Sequence, residues 1–100
     1  MENITKQNQG ILIIGNIKGI EDINTTKRAI ESFHLQPDTS FRVKLQDSFS
    51  MPSAMIGYFM KLTEKEGIKL TLEVGDEKLA ELLDDLGLTQ AFNIKKVNFA

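Results

Sequence analysis

Hydrophobic and polar residues alternate along much of this chain with a period of two, which predicts several β-strands. A nearly continuous apolar stretch over 10–17, rich in β-branched isoleucine, is typical of a central strand that is covered on both faces. Residues 41–45 and 68–74 alternate apolar and polar side chains, as half-covered strands do. A last strand is predicted over 92–99, and residues 4–6 are predicted as a short edge strand that pairs with the first long strand across a turn at 7–10.

Apolar residues at helical spacing predict three amphipathic helices between these strands. They cover residues 22–33, residues 51–66, and a segment that begins at Glu77 and ends at Gly87. The stripe of the second helix should face the sheet, which leaves Tyr58 and Lys61 for the outer surface. Ser50 is expected to cap this helix, with Pro52 in its first turn. The stripe consists of Met55, Ile56, Phe59, Met60 and Leu62.

This order of elements predicts a single α/β domain that spans residues 1–100. Right-handed crossovers would place several of the strands parallel in one sheet, with the helices packed on it. A length of 100 residues suits one domain, and a content of 41% hydrophobic and 26% charged residues is enough for a core. The net charge is −2 and basic residues alternate with acidic ones along the sequence, so we expect no clustered basic face and no nucleic-acid partner.

Several classes of function lack the residues that they need. The chain has no cysteine, which excludes disulfides, thiolate metal sites and cysteine nucleophiles and suits the cytoplasm. Its apolar runs are much shorter than the roughly 20 residues that cross a bilayer, and its first residues carry no signal-peptide core, so we expect no direct membrane insertion.

Catalytic and ligand-binding motifs are also missing from the sequence. His34, the only histidine, lies in a loop without other metal ligands beside it, and Asp84 and Asp85 point in different directions from one helix. The glycines at 10, 15 and 19 fit no nucleotide-binding motif. We therefore expect a protein that is not an enzyme, with no catalytic residue, no metal and no cofactor.

The most informative segment is residues 47–53, Asp-Ser-Phe-Ser-Met-Pro-Ser, at a junction between a strand and a helix. A phosphoryl group on a serine here would meet backbone N–H groups and the positive end of the helix dipole. It would add nearly two negative charges to an exposed turn and could switch the binding of a partner. The alternative is that Ser50 only caps the helix, which is worth about 1 kcal/mol.

The element order and several local strings resemble those of a STAS domain, the fold of bacterial anti-sigma factor antagonists and of sulfate-transporter tails. Residues 17–22 are similar to the family's Leu-x-Gly-Glu-Leu-Asp segment and keep Gly19 and Asp22. Residues 65–70 and 82–88 resemble the ends of its second and third helices. The family's Asp-Ser-Ser-Gly motif falls on residues 48–51, so its phosphorylated second serine corresponds to Ser50, while Ser48, Phe49 and Met51 replace its aspartate, first serine and glycine. A shift of one residue would supply Asp47 as the motif's aspartate.

The resemblance implies an α/β, STAS-like fold, with a mostly parallel four- to five-stranded sheet and three main helices packed on it. It implies a regulator that binds an anti-sigma factor or a serine kinase of the histidine-kinase-like ATPase type and releases it when Ser50 is phosphorylated. The residues expected at the partner-binding face are Asp22, Asp47, Ser48, Ser50, Met51 and Ser53.

Two other functions stay open from the sequence. Some stand-alone domains of this kind are constitutive accessory subunits of a membrane transport ATPase, and such a complex would be indifferent to Ser50. A small-ligand carrier would require a dedicated cavity, which a sequence does not reveal.

Overall fold

Five strands form one sheet in the same order in which they follow each other along the chain. The computed structural model describes residues 1–99. The first strand is antiparallel to the second, and every later pair is parallel. The mostly parallel α/β sheet predicted from the sequence is therefore confirmed. The strands are β1 (Asn3–Gln7), β2 (Gly10–Ile14), β3 (Ser40–Gln46), β4 (Lys69–Val74) and β5 (Ile94–Lys96).

Three helices connect the parallel strands: α1 (Ile20–Glu31), α2 (Ser53–Met60) and α3 (Glu77–Asp85). A π-helical turn, Lys61–Lys65, continues α2, and it closes where the Glu66 N–H donates to the carbonyl oxygen of Lys61 at 3.1 Å. Because the strand order is sequential, each right-handed crossover moves in the same direction across the sheet. The helices consequently pack on one face of it.

The core lies between this face and the helices. The side chains of β2, β3 and β4 that point toward the helices are at most 4% exposed. The Phe59 ring of α2 meets the ring of Phe92 edge to face, with centroids 6.0 Å apart. The core side chains of the three strands are Ile11, Ile13, Phe41, Val43, Leu45, Leu70, Leu72 and Val74.

The opposite face of the sheet carries no helix. Leu12 and Ile14, which point to it, are only partly buried. The predicted strand is confirmed as β2, an interior strand between β1 and β3. The prediction that it is covered on both faces is wrong, because the helices cover only one face of the sheet. A nearly continuous apolar stretch does not by itself show whether a strand is covered on one face or on both.

Strand alternation gathers basic residues on this uncovered face. Arg42, Lys44, Lys69 and Lys95 occupy outward positions of β3, β4 and β5, and Glu73 lies among them. The Arg42 guanidinium pairs with Glu73, with 2.8 Å between Nε and Oε2. The expectation that no basic face forms is wrong, because residues separated in sequence become neighbours across the ladder. The absence of a nucleic-acid partner stays a prediction.

Helix α2 begins two residues later than the sequence suggested, and Ser50 does not cap it. Pro52 occupies the cap position in extended conformation, and no side chain makes a capping hydrogen bond there. By contrast, the carboxylate of Asp76 caps α3 by accepting a hydrogen bond from the Leu79 N–H at 2.9 Å.

Tyr58 is 8% exposed, so its predicted place on the outer surface is wrong, whereas Lys61 is exposed as predicted. The reason is that α2 packs against both the sheet and α1, and the ammonium group of Lys27 lies 5.3 Å from the centre of the Tyr58 ring. Among residues 1–99, no helix is long and apolar enough to cross a membrane.

Candidate functional site

The loops that follow β2, β3, β4 and β5 meet along one edge of the sheet, because these strands are parallel. We call this the carboxyl edge; it comprises residues 15–19, 47–52, 75–76 and 97–99. In open α/β sheets, ligands are usually bound outside the carboxyl ends of the strands. The segment predicted to bind a partner, residues 47–53, lies on this edge.

Two hydrogen bonds fix the loop after β3 to the loop after β2. The Ser48 hydroxyl, 2% exposed, donates to the carbonyl oxygen of Gly15 at 2.6 Å. The Phe49 N–H donates to the side-chain oxygen of Asn16, also at 2.6 Å. The Gly15 N–H in turn donates to the carbonyl oxygen of Gln46 at 2.8 Å. These contacts hold the backbone of the loop in place while neighbouring side chains stay in solvent.

Five of the six predicted partner-binding residues divide into a buried and an exposed group. Ser48 and Met51 are buried, so they anchor the loop and do not present a side chain to a partner. Asp47, Ser50 and Ser53 are exposed. The Ser50 hydroxyl makes no hydrogen bond to any other residue within 1–99, which leaves it accessible for modification.

Asp22 lies at the start of α1, on the same edge, but its carboxylate is already engaged. Its Oδ2 atom accepts a hydrogen bond from the Lys18 N–H at 2.7 Å and lies 3.0 Å from the terminal ammonium group of Met1. The hydrogen bond from Lys18, followed by that from the ammonium group, lowers the pKa of Asp22 below its ordinary value. This residue thus holds the loop before α1, and its side chain is one-quarter exposed.

A cleft of about 360 Å³ opens at the carboxyl edge between the ends of β3 and β4. Phe49, 58% exposed, stands on one side of it. The cleft brings together three parts of the chain that are distant in sequence. Its lining residues are Gln46, Asp47, Phe49, Gly75, Asp76, Asn98 and Phe99.

Gly75 forms the part of this cleft that lies under the ring of Phe99. A Cβ atom at position 75 would lie 2.8 Å from the Cδ2 atom of Phe99, closer than such atoms normally approach. The sequence pattern did not mark Phe49, Asp76 or Phe99 as site residues. A large aromatic side chain between two serines was a usable signal for Phe49, whereas no local sequence feature distinguished Phe99.

The described residues offer no metal centre. Within 1–99, no group of three or more histidine, aspartate or glutamate side chains is close enough together to hold a metal ion. The chemistry available at the carboxyl edge is therefore that of carboxylates, amides, an exposed hydroxyl and two aromatic rings.

Comparison with known proteins leaves the family of this chain open. No family model matches the sequence, and no solved structure matches it. The chain is 36% identical over 96 residues to the E3 ubiquitin-protein ligase HEL1 of Saccharomyces cerevisiae. The match covers 95% of this chain but 16% of that protein, so the chain spans about a sixth of the length of this relative.

Proposed function

We propose that this protein is a partner-binding regulatory domain of the STAS type, similar to an anti-sigma factor antagonist, which is switched by phosphorylation of Ser50. The partner in this proposal is an anti-sigma factor or a serine kinase of the histidine-kinase-like ATPase type. The mostly parallel sheet with three helices on it is compatible with the fold that the sequence resemblance implies.

The observation that carries the proposal is the contrast between the serines of one loop. Ser48 is buried and hydrogen-bonded to Gly15, so a kinase would have to pull the loop away from β2 to reach it. Ser50 is exposed, and its hydroxyl is not engaged in capping α2. A kinase could therefore modify Ser50 without disturbing the fold.

The position of Ser50 also gives a phosphoryl group a physical effect. The first turn of α2 contains no acidic side chain, and no side chain caps its N–H groups. A phosphoryl group nearby would be favoured by the positive end of the helix dipole and would add about two negative charges to the carboxyl edge. A partner that packs against the unmodified loop would then lose its fit to that loop, because a bulky, hydrated phosphoryl group would stand in the contact.

A second candidate is a constitutive binding module, such as an accessory subunit of a membrane transport ATPase. The similarity to one part of a much longer protein favours it, since a domain that is a permanent part of a larger assembly needs no switch. The ligase activity named for that relative is not carried over, because this chain has no cysteine and no recognisable catalytic residues.

The test is phosphosite mapping by mass spectrometry on the tagged chain recovered from its native cells, together with identification of the proteins that copurify. We expect a single phosphoryl group in the wild-type chain, none in Ser50→Ala, and an unchanged level in the matched control Ser53→Ala. Ser53 is also exposed and lies three residues further along the chain.

Binding of the partner separates the two candidates. A switch predicts that Ser50→Ala retains the copurifying partner and that Ser50→Glu loses it. A partner retained equally by wild type and both variants would support the constitutive module. A phosphoryl group that persists in Ser50→Ala would show that Ser50 is not the acceptor.

A further inference from the structure

The cleft at the carboxyl edge combines two aromatic rings with two carboxylates. The rings of Phe49 and Phe99 and the side chains of Asp47 and Asp76 all line it. Phe49 is exposed over 58% of its surface, whereas four other aromatic side chains are buried in the core: Phe41, Tyr58, Phe59 and Phe92. What sets Phe49 apart from the other exposed apolar side chains is its place at a cleft, where its ring offers an aromatic face to a partner.

Among residues 1–99, the charged side chains that line the cleft are both acidic. Its two carboxylates are accompanied by the amide side chains of Gln46 and Asn98, and no lysine or arginine is among its lining residues. Asp76 uses one carboxylate oxygen to cap α3 through the Leu79 N–H. This hydrogen bond fixes the position of the Asp76 carboxylate at the wall of the cleft, where its negative charge would attract a cation.

The combination of aromatic and acidic groups fits a guanidinium ion better than other cations. A guanidinium is planar, stacks on aromatic faces and donates several hydrogen bonds to carboxylate and amide oxygens. A metal ion would find two carboxylates and two amide side chains here, with no third carboxylate or histidine close enough within residues 1–99, and would gain nothing from the two rings. The ammonium group of a lysine would gain less from the flat ring faces.

We propose that this cleft receives the arginine side chain of a partner protein, with the guanidinium between Phe49 and Phe99 and its N–H groups donating to the carboxylates of Asp47 and Asp76. The inference rests on the proposed function, because it specifies the chemistry of the partner that binds the carboxyl edge. The cleft does not include Ser50, so the two proposals can be tested separately.

The experiment is an NMR titration of the isotopically labelled chain with N-acetyl-arginine amide, and with the neutral isostere N-acetyl-citrulline amide as the comparison probe. We expect saturable shifts at the amides of Phe49, Gly75 and Asp76 with the arginine probe. We expect at least a roughly threefold weaker affinity for the citrulline probe, the size of a solvent-accessible charge interaction.

Matched variants locate the binding. Asp47→Asn should lower the affinity for the arginine probe roughly threefold. Phe49→Ala should lower this affinity by a similar factor, because the guanidinium can no longer stack on the ring. Asp38→Asn is the control, since Asp38 is also an exposed loop aspartate with positive φ, 68° against 56° for Asp47, but it precedes β3. The Asp38→Asn variant should bind the arginine probe with the affinity of the wild type.

The inference would be overturned by the absence of a saturable shift with the arginine probe, by equal affinity for the citrulline probe, or by an Asp38→Asn effect as large as that of Asp47→Asn. Micromolar binding of free arginine would also overturn it, because the cleft would then hold a small molecule and not a partner's side chain. Ser50→Ala should bind the probe normally. If Ser50 carries no phosphoryl group in cells but the arginine probe binds, only the proposed phosphorylation switch is contradicted. If Ser50 is phosphorylated but the probe does not bind, only the arginine-binding cleft is contradicted.

Discussion

At the scale of single residues, the environment of a side chain differs sharply between neighbours of the same type. Ser48 and Ser50 are two positions apart, yet one hydroxyl is hydrogen-bonded inside the protein and the other lies in solvent. Tyr58 on α2 likewise has surroundings that its neighbours in sequence do not reveal. It is enclosed by α1 and the π-helical turn, although the helical stripe read from the sequence left it outside.

Tyr58 should titrate far above the ordinary range of tyrosine. Burial, followed by the nearby charges of Glu31 and Glu66, raises the pKa of Tyr58 to about 12 from 10.0. It is the only tyrosine of the chain, so a spectrophotometric titration of tyrosinate follows this group alone. The midpoint should lie near 12 in the folded protein and at the ordinary value of 10.0 in denaturant.

The same shift predicts how stability depends on pH. The folded state holds the phenol proton more tightly than the unfolded state, so this contribution is fully present below the unfolded pKa and is lost as pH rises through 10 toward 12. The Tyr58→Phe variant should lack this part of the alkaline decline. A folded-state midpoint equal to that of the denatured chain would contradict the prediction.

At the scale of elements, each strand and helix depends on contacts that its own sequence does not display. Gly10 begins β2 where the chain passes against β3, and a Cβ atom there would lie 2.4 Å from the carbonyl oxygen of Arg42. Gly57 lies within α2, and a Cβ atom there would meet no other atom within 4 Å. The two glycines therefore have opposite roles: one permits a close approach of backbones and the other weakens a helix.

Alanine substitutions at these two glycines should change stability in opposite directions. Gly10→Ala should lower the free energy of unfolding by about 2–3 kcal/mol, because the new methyl group forces β2 and β3 apart. Gly57→Ala should raise it by about 0.5–1 kcal/mol through the lower flexibility of the unfolded chain and better helix propensity. Urea denaturation measures both values. A Gly10→Ala protein as stable as the wild type would show that the strands can separate without cost.

At the scale of the whole molecule, the sequential strand order determines which surfaces exist. It places three helices over one face of the sheet, leaves the other face uncovered, with basic and polar residues beside Leu12 and Ile14, and collects four loops on one edge. It also places β3 between two neighbours, whereas β1 and β5 form the borders of the sheet and β5 has three residues.

Hydrogen exchange should reveal this arrangement. Amides in the middle of β3, flanked by β2 and β4 and covered by Phe41, Val43 and Leu45, should exchange only through global unfolding. Those of β1 and β5 should exchange faster through local opening at the border of the sheet. NMR-detected exchange in deuterated water measures the ranking, and protection of β5 equal to that of β3 would contradict it.

The sequence by itself determined the type and approximate place of every main element. Alternation with period two and apolar residues at helical spacing report whether a position is buried, and this was enough for the strands, the three helices and their order. The predicted edge strand at residues 4–6 was also confirmed, as part of β1. The observed boundaries differ from the predicted ones where a local preference did not decide the outcome. For example, Pro52 and not Ser50 occupies the cap position of α2.

Only the tertiary structure decided what surrounds each residue. The cleft needs Phe49, Asp76 and Phe99 together, and these come from segments joined by the parallel order of the strands, not by proximity in sequence. The contrast between Ser48 and Ser50 arises from a hydrogen bond to Gly15, 33 positions away. A hydrophobic pattern records that a side chain is covered, but the identity of the covering group is set by backbone pairing between distant strands, which leaves no local trace in the sequence.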